Sequence, residues 1–290
     1  MTAVLYDVPG PRARRRTLVQ SALGAVGLVL LALLALQRLS SRGQLDGEIW
    51  SVLANPDVQQ VLLDGLVGTL EAAAVAGVLS LVLGVLLAVG RLSDSALLRA
   101  AVRVWVELFR GLPLLLVILF LYLGAPSLGL QTSVFMSLVL GLTLYNSAII
   151  AEIVRAGVLS LPRGQREAAL AIGLRPGQAL RHVLLPQAFR VMLPALISQV
   201  VVLLKDTSLG FVIGYVELLR SGRNVVEFLG GSYSLPVYTG VAVVYIAVNL
   251  ALSSLARYLD RRQRGGRRGG APATVRAGQP VGAALADEAA

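Results

Sequence analysis

The 290-residue chain is 56% hydrophobic and only 14% charged, with a mean hydropathy of +0.75, against about 25% charged residues in an ordinary soluble domain. Cysteine is absent and His182 is the single histidine, which excludes disulfides, thiolate metal sites and His-cluster metal or acid–base chemistry. No metal ligand set and no catalytic constellation is therefore expected. The net charge of +10 raises nucleic acid as a partner, but the placement of the charges assigns it to membrane topology instead.

Residues 1–17 are polar and end in the basic cluster Arg12, Arg14, Arg15 and Arg16; they are expected to form a basic N-terminus. The uncharged run from Thr17 to Gln37 is longer than the core of a signal peptide and lacks a small-residue cleavage pattern. It predicts an extra N-terminal transmembrane helix over 18–36. A second span falls within 61–89. The run Gly111–Ala151 has no charge and is too long for one crossing, and "GAPSLG" (Gly124–Gly129) supplies a turn, so spans at 104–122 and 133–152 result. After the charged segment 155–190, a fifth span is expected at 191–213 and a sixth at 236–257. The tail over 260–290, rich in Arg, Gly and Ala, is predicted to be disordered. The fold class is an all-α integral membrane protein with six transmembrane helices.

Orientation follows from the basic residues. With the N-terminus cytoplasmic, the inside segments hold Arg12–Arg16, then Arg91, Arg99, Arg103 and Arg110, then the arginines of 155–190 and of the tail. Outside remain only Arg38, Arg42, Arg220 and Arg223. Both termini are thus expected in the cytoplasm, and no nucleic acid is needed to explain the charge.

Within the cytoplasmic segment 155–190, "GQREAALAIG" (Gly164–Gly173) is short, charged and alanine-rich. Ser160 and Pro162 mark a helix start, Glu167 is expected near the positive end of the helix dipole, and Gly173 suits a left-handed closure. A second helix is expected from Pro176 to about Leu185, before Pro186. On spacing alone, the slim surface of Ala168, Ala169 and Ala171 reads either as a docking face for another protein or as a plain connector on the membrane surface.

The stretch "EAALAIGLRPGQALRHVLLP" (Glu167–Pro186) resembles the EAA loop of ABC import permeases: E-A-A, three residues, Gly, nine residues, then I-x-L-P, here with Val183 for isoleucine. The resemblance implies a coupling helix, with Gly164, Glu167, Ala168, Ala169 and Gly173 docking on a dimer of cytoplasmic ATPase subunits. The chain carries no G-x-x-x-x-G-K-[ST] phosphate loop, so ATP and Mg would be used by that partner and none is bound here. "VELFRGLPLLLVILFLY" (Val106–Tyr122) and "LLKDTSLGFVIGYVELLR" (Leu203–Arg220) are similar to the polar amino acid branch of the family. "YNSAIIAEIVRAG" (Tyr145–Gly157) resembles its glutamate-type permeases. The resemblance covers 61–259 and implies a five-helix permease core, a second permease subunit (identical or different), an extracellular solute-binding protein and a polar amino acid substrate. Glutamate is favoured over glutamine, aspartate or a basic amino acid.

Lys205, the one lysine, falls inside a span, where a charge costs roughly 2.5–3.5 kcal/mol. Lys205, Asp206, Thr207 and Ser208 either line a polar substrate pathway or form a structural cluster that fixes packing. Adjacent residues on a helix point about 100° apart, so Lys205 and Asp206 face each other only where the helix breaks. Asn146 reads as a cavity group or as an interhelical hydrogen bonder. Glu152 is expected to pair with Arg155, Glu71 to be solvated near the outer surface, and Gly77 and Gly84 to allow close helix packing. An ion-coupled secondary transporter is a rival class, but inverted repeats and intramembrane carboxylates are not evident. An intramembrane enzyme lacks a Ser–His pair.

Overall fold

The structure, a computed structural model, describes residues 10–265. In lipid an apolar chain satisfies its backbone N–H and C=O groups within a helix, and helices account for nearly all of the described residues. In order these are α1 (Pro11–Ser41), α2 (Gly47–Trp50), α3 (Pro56–Arg91), α4 (Ala96–Gly111), α5 (Leu114–Leu119), α6 (Ala125–Ser127), α7 (Val134–Leu159), α8 (Arg163–Ala171), α9 (Pro176–Ala179), α10 (Leu185–Asp206), α11 (Leu218–Leu229) and α12 (Ser234–Gly265). Five runs are long and apolar enough to cross a membrane: α1, α3, α7, Pro176–Ile213 and Gly231–Leu255; α4 with α5–α6 makes a sixth only as a bent pair.

Several boundaries differ from the sequence expectation. The first helix begins at Pro11 and runs to Ser41, so the arginine cluster is helical and continuous with the apolar run that follows. The expected span at 104–122 is interrupted. α4 stops at Gly111, α5 starts at Leu114, and the two are bent by 102°. Pro113 causes this, because it lacks an N–H and disfavours a helical residue before it.

The fifth span is longer than 191–213, since helical structure continues from Pro176 to Ile213. The helix expected to end before Pro186 instead runs on through it. A π-helical turn over Leu180–Leu184 precedes this proline and shifts the hydrogen-bond register, which accommodates its missing N–H. α12 extends to Gly265, so 260–265 is helical rather than irregular. The remainder of the expected disordered tail, and residues 1–9, lie outside the described residues.

The chain divides into two compact units. The first holds residues up to Val78, Leu112–Thr143 and Leu203–Val248. One of its clusters is built from Val52, Val58, Leu62, Leu218, Val225, Val237 and Val241. Here Gly222 lets α11 approach α12: a Cβ on it would stand 2.6 Å from Val241 Cγ2. α1 contributes no buried residue.

The second unit holds Leu79–Gly111, Leu144–Val202 and the chain from Asn249. Its core gathers Ala88, Val106, Ala148, Ala151, Val154, Ala188 and Met192. The alanines among them bring helices close enough for van der Waals contact, which is what holds helices together in lipid. Gly84 behaves as expected, since a Cβ there would stand 2.6 Å from Ile150 Cγ2 and 3.0 Å from the Ser147 carbonyl. Gly77 does not, because nothing lies within 4 Å of its added Cβ.

Candidate functional site: the coupling segment and the polar residues of the spans

α8 is a nine-residue helix entered from Pro162, which is extended at φ −55°, ψ 132°. Its closure is made by Gly173 at φ +89°. The Gly173 N–H donates to the Leu170 carbonyl at 3.0 Å and the Leu174 N–H to the Ala169 carbonyl at 3.2 Å, which satisfies carbonyls that a helix end leaves open.

Gly164, Glu167, Ala168 and Ala171 are exposed, as is Ile172 after the helix, while Ala169 is buried within the unit. Spacings of four and three place Gly164, Ala168 and Ala171 on one outward stripe. The alanine surface is thus split: one side docks α8 onto its own unit and the other is free. Glu167 is the fifth residue of α8 and the first turn carries no acid, so the expected placement at the positive end of the dipole is not met. Gln187 Nε2 donates to Gln165 Oε1 at 3.0 Å, tying α8 to α10. Beyond Gly173, α9 begins with the Arg175 N–H donating to Gln178 Oε1 at 2.9 Å, and His182 is exposed.

In the same unit, Asn146 is fully buried on α7 and its Oδ1 accepts from Gln199 Nε2 of α10 at 2.7 Å. Asn146 thus makes an interhelical hydrogen bond. Glu152 pairs with Arg155 as expected, and also with Arg91 at 3.7 Å.

Lys205–Ser208 belong to the first unit. α10 ends at Asp206, and a 3-10 run over Thr207–Ile213 follows, closed by Gly214 at φ +82°. The helix therefore changes character at the residues singled out. Lys205 is exposed and Asp206 and Ser208 are half-buried. Thr207 is fully buried and its hydroxyl donates to the Leu204 carbonyl at 2.7 Å; the Ser208 hydroxyl donates to the Lys205 carbonyl at 2.7 Å. Among the described residues, Lys205 and Asp206 form no ion pair with each other. Glu71 is exposed.

The sequence reading did not single out Glu217. It is fully buried and caps α11, accepting from the Leu219 N–H at 2.9 Å, the Arg220 N–H at 2.7 Å and the Tyr245 hydroxyl at 2.8 Å. Burial pushes its carboxyl above the usual range, against the pull of these donors. Two further bonds lash this turn to α3: Tyr215 Oη donates to the Gly68 carbonyl at 3.0 Å, and the Leu218 N–H to Thr69 Oγ1 at 3.1 Å. Glutamate is not among the favoured N-caps, so spacing carried no signal for it. Among the described residues no group of acidic and histidine side chains could hold a metal.

A nearly all-helical chain with several apolar spans and the short exposed helix α8 between two of them has the make-up of a membrane transport component, and the chain belongs to the family described as binding-protein-dependent transport system inner membrane component, matched over residues 80–265. It is a multi-pass permease subunit of a bacterial importer, not an enzyme. Relatives named for amino acid transport are among those it resembles. The chain is 41% identical over 233 residues to the glutamate transport system permease protein GluD of Corynebacterium glutamicum, covering 79% of this chain and 85% of that one. It is 37% identical over 209 residues to the glutamate/aspartate import permease protein GltK of Escherichia coli, covering 69% and 92%, and 38% identical over 203 residues to the probable glutamine permease GlnP of Bacillus subtilis, covering 70% and 93%. A solved amino acid ABC transporter with histidines superposes with a TM-score of 0.67 at 30% identity, covering 72% of this chain and 97% of that one.

Proposed function

We propose that the chain is a permease subunit of an ATP-driven importer that carries a polar amino acid, glutamate in the first place, by alternating access. The observation that carries the coupling role is the outward stripe Gly164–Ala168–Ala171 beside Glu167, on a short helix closed by left-handed Gly173. A Cβ-poor surface lets a partner groove approach the backbone. Two ATPase subunits, which use ATP and Mg, would grip this helix in the cytoplasm. Their closure would shift the population between inward- and outward-facing states. A second permease subunit, identical or different, would complete the path, and an extracellular solute-binding protein would deliver the substrate.

Identity to GluD supports glutamate; relatives that carry glutamine make glutamine the second reading. In the pathway, exposed Lys205 is the cation suited to a substrate carboxylate, with Asp206 and Ser208 beside it. The hydroxyl of Thr207 serves its own turn, and Asn146 serves through Gln199 to hold α7 against α10.

The test reconstitutes the chain with its ATPase, second permease and binding protein in liposomes. Glutamate should be taken up only with ATP inside, and calorimetry on the binding protein should rank glutamate first among amino acids. A Lys205→Ala complex that assembles should lose uptake; wild-type affinity and flux in it would defeat the pathway role.

A further inference from the structure

α4 is used by none of the roles above, and its surface has three distinct sides. Val106 is wholly buried, and Val102 and Phe109 pack beside it against the core of the second unit. A second side, Leu97, Val104 and Leu108 at spacings of seven and four, is 82%, 67% and 53% exposed. A third side carries exposed Arg103, Glu107 and Arg110 at spacings of four and three. Arg99 lies on the edge of this side, but its Nη1 is committed to the Ser93 carbonyl at 2.6 Å.

A 16-residue helix is about 24 Å long, short of the ~30 Å hydrocarbon core, and this one bears four charged residues. It is held at both ends by membrane segments. The span α3 ends at Arg91, with four residues between it and α4, and the chain bends by 102° into apolar α5 after Gly111. A helix fixed at that level, with an aliphatic side next to a basic side, has the makeup of one lying in the interface plane. Trp105, partly exposed and tilted against Phe109 with centroids 4.7 Å apart, suits the same depth.

We propose that α4 lies in the plane of the membrane on the side that carries α8, with Leu97, Val104 and Leu108 among acyl chains and Arg103 and Arg110 on anionic phospholipid headgroups. The side is fixed by a cleft of about 800 Å³ lined by Leu98 and Val102 of α4 together with Arg163, Arg166 and Glu167 of α8. The acids near the basic side include Glu107 on α4 itself and Glu152 on α7. Glu152 already pairs with Arg155 and Arg91 and reaches Arg110 only at longer range. Arg103 forms no ion pair or side-chain hydrogen bond among the described residues. Its free guanidinium, beside an exposed aliphatic stripe, is what selects an anionic amphiphile over a neutral one. The inference needs only the membrane fold and is independent of the substrate.

The absence of cysteine makes the test direct. Single cysteines at Leu97, Arg103, Val104 and Leu108 of the full chain, assembled with its partner subunits in bilayers of phosphatidylglycerol and phosphatidylcholine, are labelled with a small fluorophore. Bromine on the acyl chains should quench Leu97→Cys, Val104→Cys and Leu108→Cys, and aqueous iodide should quench Arg103→Cys. Spin-labelled lipids should show a preference for phosphatidylglycerol that weakens with salt and falls roughly fivefold for each of Arg103→Gln and Arg110→Gln. Arg103→Lys should retain it. Iodide quenching at Leu108, no quenching there by either agent because protein covers it, or a lipid preference unchanged in Arg103→Gln would each overturn the proposal.

Discussion

Replacing Gly173 tests the coupling role proposed for α8 apart from the membrane helices that carry it. The residue sits at φ +89°, and nothing lies within 4 Å of where its Cβ would be. Gly173→Ala therefore brings no clash, and its cost is the backbone penalty of a left-handed L-residue, roughly 1–2 kcal/mol. A β-branched valine, stiffer at the same torsions, costs more, and asparagine, which tolerates this region, costs less. The penalty falls on the two closing bonds, Gly173 N–H to Leu170 and Leu174 N–H to Ala169. Core residues such as Ala148 and Val154 are not touched. A cost of 1–2 kcal/mol lowers the population of the closed geometry roughly 5- to 30-fold. In proteoliposomes of the whole importer, uptake per ATP hydrolysed should fall in the order Gly, Asn, Ala, Val, while the amount of assembled complex and the melting of the bundle stay close to wild type. A Gly173→Val complex that assembles and couples hydrolysis to uptake at the wild-type ratio would refute the reasoning.

Gly84→Leu should destabilise the second unit by roughly 1–3 kcal/mol, because its Cβ already meets Ile150 at 2.6 Å. Gly77→Leu, facing open space, should leave the melting temperature in detergent nearly unchanged; equal losses in both would contradict the packing described. Glu217→Ala removes the cap of α11 and leaves the Tyr245 hydroxyl without this acceptor, a loss of about 1–3 kcal/mol, read as a lowered melting temperature. The Glu217 carboxyl, raised above its ordinary 4.5 by burial, also gives a pH dependence with a definite sign. The folded protein holds the proton more tightly than the unfolded chain, so this contribution is complete below pH 4.5 and is lost as the pH rises through the folded value. The wild type should lose stability over that window, and Glu217→Gln should flatten the profile; an unchanged slope would show that another group titrates.

Much of this protein is legible in the sequence because lipid leaves a chain few options. An uncharged run of about 20 residues must become a helix, which placed α1, α3, α7 and the last span without any contact being known. The helix α8 is legible for a local reason, since Pro162 and Gly173 punctuate it through their own backbone torsions. The Glu152–Arg155 pair is likewise local, three residues apart on one helix face.

What depended on distant neighbours was decided by the fold. α4 was hidden in a merged apolar window, because the meaning of Arg103 and Arg110 depends on which side of the helix Val102 and Val106 bury. Whether Gly77 or Gly84 meets another helix depends on α7, far along the chain. Glu217 becomes a buried cap only once Tyr245 arrives from α12 and the turn after Gly214 is bonded to α3. Short-range torsions and hydropathy act on each segment alone, whereas burial and pairing exist only between segments that folding brings together.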